Sequence, residues 1–91
     1  MKNLLEYLEG KGVERERATH LHTMATVLKN WPGERARPSY ILAEMRDLHN
    51  DNVTPEDLII DLRCLEELEL AELNPLRGGY SLTSLGNSFY G

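Results

Sequence analysis

Residues 53–70 read VTPEDLIIDLRCLEELEL, and the change of period that follows this stretch decides the fold. Thr54 and Asp57 form a T-x-x-D start signal, in which the hydroxyl accepts a free N–H of the first turn. Pro55 takes the first helical position, where a missing N–H removes no bond. Glu56 and Asp57 place carboxylates at the positive end of the helix dipole. Leu58, Leu62 and Leu65 fall on one helical face, flanked by Ile59 and Leu68. Beyond Leu70 the period becomes two. Leu70, Glu72 and Asn74 alternate with Ala71, Leu73 and Pro75, and Tyr80 and Leu82 alternate with Ser81 and Thr83. Gly78-Gly79 between the two runs supplies the freedom of a hairpin tip, and Pro75 suits a tip or an edge strand. The stretch therefore predicts a helix over 54–69 and a hairpin pairing 70–74 with 79–83. Leu85 and Phe89, four apart in the closing SLGNSFYG, are expected to pack back as a last helical turn.

Working upstream, HNDNV (49–53) is a turn, since Asn and Asp accept left-handed or self-bonded backbone. Before it, Ile41, Leu42, Met45 and Leu48 give a helix over about 39–49, with Pro38 tolerated in its first turn. The polar GERARPSY (33–40) allows a short strand. A further helix over 14–30 carries Leu21, Met24, Ala25 and Leu28 on one face and ends at Asn30-Trp31-Pro32-Gly33. Leu4, Leu5, Tyr7 and Leu8 suit one or two helical turns before Gly10 and Gly12 loosen the chain. Residues 1–12 thus read as an N-terminal helical extension and 13–91 as the main domain. Leu4, Leu5 and Leu8 have no assigned partner in that domain, so residues 2–9 are expected to join two copies into a homodimer.

Ninety-one residues support one core, with a burial fraction of roughly 60–65%. Charged residues make up 27% of the chain, which fits a globular protein rather than a disordered one. No apolar run approaches the roughly 20 residues of a membrane span, and MKNLLEYLEG, interrupted by Glu6 and Glu9, is not a secretory signal. The single cysteine, Cys64, forms no internal disulfide, so a cytoplasmic location is expected. The net charge of −5 is unevenly spread. Acidic and basic groups balance over residues 1–53. Residues 54–91 carry Glu56, Asp57, Asp61, Glu66, Glu67, Glu69 and Glu72 against Arg63 and Arg77, so the whole excess lies there.

The order Leu65, Glu66, Glu67, Leu68, Leu70, then a hairpin, then Leu82, Thr83 and Gly86 resembles winged helix-turn-helix transcription regulators of bacteria and archaea. YILAEM (40–45) is similar to the helix before their turn, and the resemblance covers roughly residues 18–90. It implies an α+β, mainly α fold: a winged helix-turn-helix with a three-helix core and a C-terminal β-hairpin wing. It also implies a sequence-specific, double-stranded DNA-binding regulator of transcription. The chain departs from the pattern at Glu69, where these families carry glycine, so the helix end is expected to be extended or differently capped. The wing is also weakly basic, with Arg77 at its tip.

Projected at about 100° per residue, the face opposite Leu58 and Leu62 shows Glu56, Ile60, Arg63, Cys64 and Glu67. A DNA reader carries Arg, Lys, Asn or Gln there. Of these five, Arg63 alone meets that requirement directly; Glu56 can accept from a cytosine amine and Ile60 can touch a thymine methyl. Carboxylates near phosphate oppose binding, and Ile60 with Cys64 one turn on suits an apolar protein pocket. The alternative function is therefore a protein–protein interaction module, whose acidic helix docks on a basic or apolar partner. Lys29, Arg35 and Arg37 around Trp31, beside Arg77 on the wing, are phosphate candidates, although as an isolated loop the stretch reads first as a solvated surface. His20 and His22 point about 200° apart on a helix and cannot share a metal. No nucleophile motif or glycine-rich phosphate loop is present. No metal, cofactor, catalytic residue or membrane partner is expected.

Overall fold

The computed structural model describes residues 3–90; Met1, Lys2 and Gly91 lie outside the described residues, and with them the first residue of the expected 2–9 segment. Five helices and one hairpin follow in the order α1 (Leu4–Gly10), α2 (Arg15–Asn30), α3 (Pro38–His49), α4 (Pro55–Glu67), β1 (Ala71–Leu73), β2 (Tyr80–Leu82) and α5 (Ser84–Asn87), with a closing 3-10 turn, Ser88–Tyr90. The fold is α+β, mainly helical, with a two-stranded antiparallel sheet.

Each boundary has a local cause. The N–H of Asp57 donates to Thr54 Oγ1 (3.2 Å), which caps α4, and Pro55 sits in its first turn. Arg37 precedes α3, with Pro38 at its start, and Asn50 ends that helix in the left-handed region at φ 52°. There the Asn50 and Asp51 N–H groups both donate to the Met45 carbonyl. The expected strand in GERARPSY contracts to one residue: Ala36 and Tyr80 exchange both backbone hydrogen bonds, at 2.8 and 2.7 Å. The hairpin pairs Ala71 with Leu82, Glu72 with Ser81 and Leu73 with Tyr80, in the register read from the sequence. Bonds from Thr83 to Leu70 and from Asn74 to Gly79 extend that register to both ends. At its tip Asn74 Oδ1 accepts the Leu76 and Arg77 N–H groups, and Gly79 has φ 85° with its Cα against the Arg35 side chain.

α4 ends earlier than expected, at Glu67, because a complete left-handed cap forms without glycine. Glu69 takes φ 63°, its N–H donates to the Glu66 carbonyl (2.9 Å), and the Leu70 N–H donates to the Leu65 carbonyl (2.9 Å). Leu65 and Leu70 are both fully buried beneath this cap, the apolar contact that usually accompanies it. The helix end is thus capped as a glycine would cap it, by a glutamate in a glycine conformation.

The core draws on every helix of the first four. Leu21, Met24, Ile41, Met45, Leu58, Leu62 and Leu65 meet at its centre, with Leu4, Leu8 and Phe89 closing one end. Leu4 and Leu8 therefore have partners within their own chain, and Leu5 and Tyr7 pack on the same cluster, Tyr7 against the Phe89 ring with centroids 5.1 Å apart. This removes the ground for a dimer through residues 2–9, whose leucines are covered by the chain's own α2 and tail. The simple alternation read for residues 70–75 does not hold either: Leu70 and Ala71 are both buried, whereas Glu72 and Leu73 are exposed, because the strand is entered straight from a cap beneath α4.

Candidate interaction site on the fourth helix

The expected binding face of α4 is largely as projected. Glu56, Ile60, Arg63 and Glu67 are exposed. Two corrections alter its chemistry. Ile59, read as flanking the core, is 42% exposed beside Ile60 at 51%, so two adjoining isoleucines meet solvent. Cys64, read as exposed, is half-buried against the core, and burial raises its thiol above the usual range while nearby Arg17 opposes that shift. Arg17 of α2 lies against the Asp61–Cys64 side of the helix, whereas Ile59 is left uncovered.

Next to this face, β2 places Tyr80. Burial raises its hydroxyl above the ordinary tyrosine value, the neighbouring Glu66 carboxylate adds to the shift, and Arg63 works against it. Arg63 thus shares its surroundings with Glu66. On the hairpin, Leu73 and Leu76 are exposed, Leu76 almost wholly.

The four phosphate candidates are set on different elements. Lys29 Nζ donates to Asn87 Oδ1 on α5 (3.4 Å). Arg35 is half-buried with its aliphatic carbons along Gly79, Arg37 is exposed just before α3, and Arg77 is exposed at the hairpin tip. Trp31, which they were read as surrounding, stacks on Tyr40 of α3 with ring centroids 5.5 Å apart.

A feature that the sequence reading missed lies between the first half of α2 and the first half of α4. An open cleft of about 520 Å³ is bordered by Arg17, His20, Asp51, Asp57, Ile60 and Asp61. An ion pair and a histidine–carboxylate hydrogen bond cross it. Arg17 Nη2 stands 3.3 Å from Asp61 Oδ1, and His20 Nδ1 stands 2.6 Å from Asp51 Oδ2. Asp61 is only 7% exposed, and burial raises its carboxyl above the usual carboxylate range despite Arg17. Arg17 Nε is buried without a hydrogen-bond partner. The signal for this pair was present: Asp61 falls in phase with Leu58 and Leu65, and Arg17 in phase with Leu21 and Met24, so each interrupts an apolar stripe, Asp61 where it is buried and Arg17 at the half-buried edge. His20, read only for metal binding, serves instead to tie α2 to the turn before α4.

Among the described residues no helix is long and apolar enough to cross a membrane, and no group of three or more His, Cys, Asp or Glu is placed to hold a metal ion. No protein-family model, curated protein or solved structure matches the chain.

Proposed function

We propose that the chain is a winged helix-turn-helix module that works by docking a protein segment on the outer face of α4. The topology supports the fold name: α2, α3 and α4 surround one core, Ala36 adds a one-residue strand to the hairpin, and the hairpin lies beside α4. The observation that carries the function is the exposed pair Ile59 and Ile60, set among Glu56, Asp57 and Glu67. Adjacent apolar side chains on a solvent face are what a protein partner desolvates, and they offer a phosphate backbone nothing. The carboxylates repel a duplex that carries one negative charge per about 1.7 Å. The reading is of a binding module acting in the cytoplasm, with no catalytic role.

Duplex DNA is the second reading, favoured by Arg63 on α4 and by exposed Arg37 and Arg77 on flanking elements. Titration of wild type, Ile60→Asp, Arg63→Ala and Arg77→Ala with a specific duplex and a random competitor, at low and at physiological salt, separates the two. The expected result is weak, salt-labile binding without sequence preference. A tight, specific complex that survives Ile60→Asp and is lost in Arg63→Ala overturns the protein-docking reading.

A further inference from the structure

Resting on the protein-docking reading of α4, we infer that the occupant is a basic amphipathic segment of another protein. It lies on Ile59 and Ile60 and places an arginine or lysine in the cleft between α2 and α4. Ile60 connects the two parts: it belongs to the exposed apolar pair and also borders the cleft, so the apolar strip and the charged recess form one continuous surface. The recess floor includes buried Val53, against which the methylene stem of a long cationic side chain can rest while its head meets carboxylates.

Charge complementarity identifies the occupant. Glu14, Glu16, Asp51, Asp57 and Asp61 border the cleft against Arg17 and the imidazole of His20, and the α4 face adds Glu56 and Glu67. The recess already holds one guanidinium, that of Arg17 on Asp61, which shows that a planar cation fits its geometry. With Asp61 occupied by Arg17 and Asp51 by His20, the carboxylates of Glu14, Glu16 and Asp57 remain to meet an incoming cation, since no side-chain hydrogen bond or ion pair engages them among the described residues. A second copy of this chain fits badly: a two-fold contact through α4 sets Glu56 and Glu67 of one copy against the same acidic face of the other.

The test uses the full chain and a synthetic helical peptide with leucines four apart and arginines on the flanking positions. Two control peptides accompany it, one with the arginines replaced by glutamine and one with the same composition scrambled. Binding is read by calorimetry and by backbone amide shifts. The expected result is a complex whose shifts fall on α4 and the first half of α2, weakened about 30-fold or more by Ile60→Asp. Glu14→Gln, Glu16→Gln and Asp57→Asn, all exposed, are each expected to weaken it about 2- to 5-fold while the amide spectrum stays that of the folded chain. A complex that Ile60→Asp removes and the three neutral variants leave untouched overturns the cationic occupant while the docking reading stands. Equal affinity for the scrambled peptide, or no complex at all, overturns the inference as well.

Discussion

Glu69 holds φ 63°, a conformation in which an L side chain crowds its own backbone, and it does so to complete the cap of α4. The strain is balanced by the two cap hydrogen bonds, by burial of Leu65 against Leu70, and by the Thr83 hydroxyl donating to the Glu69 carbonyl. None of these contacts uses the glutamate side chain. Glu69→Gly is therefore expected to raise stability by about 0.5–1 kcal/mol, the relief of left-handed strain less the added freedom of the unfolded chain. A urea midpoint that falls or stays fixed would show the strain to be absent. Asp61 presents the opposite balance, a side chain whose surroundings disfavour its own charge. Desolvation is the largest influence on it and raises its carboxyl, with Arg17 the main opposing charge. A raised folded value means that the native state binds the proton more tightly than the unfolded chain. Stability from this group is then fullest at low pH and declines as pH rises from the unfolded value through the raised folded one. Asp61→Asn is accordingly expected to match or exceed the wild-type melting temperature at pH 7, with the difference closing as the wild type is titrated below its raised value. A marked loss at neutral pH that shrinks on acidification would instead show the Arg17 pair to outweigh burial.

At the scale of elements, α1 shows how far a sequence reading carries. Leu4 and Leu8 declare an apolar face, but seven helical residues cannot say what covers it. The cover comes from α2 and from Phe89, eighty-one positions beyond Leu8. Because Leu8 is fully buried, Leu8→Ala is expected to destabilise the protein by about 2–5 kcal/mol, through lost burial and the cavity left behind. A melting curve unchanged by that substitution would return α1 to the status of a loose extension. The same contrast runs through the other elements. The α4 start, the α3 turn and the hairpin register were legible because each depends on chemistry within a few residues: the Thr54 hydroxyl, a left-handed Asn50, the Gly78-Gly79 tip. The exposure of Ile59, the half-burial of Cys64 and the crossing pairs at Arg17 and His20 were not legible from one helix alone. They depend on how α2 packs against α4 and the turn before it, contacts between segments distant in sequence.

Over the whole molecule, the uneven charge sets two effects of salt against one another. The segment from Thr54 onward carries the entire excess of −5, concentrated on α4, its cap and the hairpin. Among the described residues the ion pair that offsets it is Arg17–Asp61, which reaches from the neutral half. The remaining carboxylates of α4 and its surroundings, Glu56, Asp57, Glu66, Glu67, Glu69 and Glu72, lie along one short stretch of chain and repel one another in the folded state more than in the extended one. Screening acts mostly on exposed charges, with a Debye length near 10 Å at about 0.1 M salt, so it relieves this repulsion more than it weakens the partly buried Asp61 pair. The melting temperature at pH 7 is thus expected to rise as sodium chloride increases from low to physiological concentration. The affinity for a cationic segment is expected to fall over the same interval, because there the same carboxylates attract. Opposite signs in the two titrations tie one set of side chains to both fold and binding; a melting temperature that falls with salt would mean that the ion pairs, not the repulsion, dominate the folded charge balance.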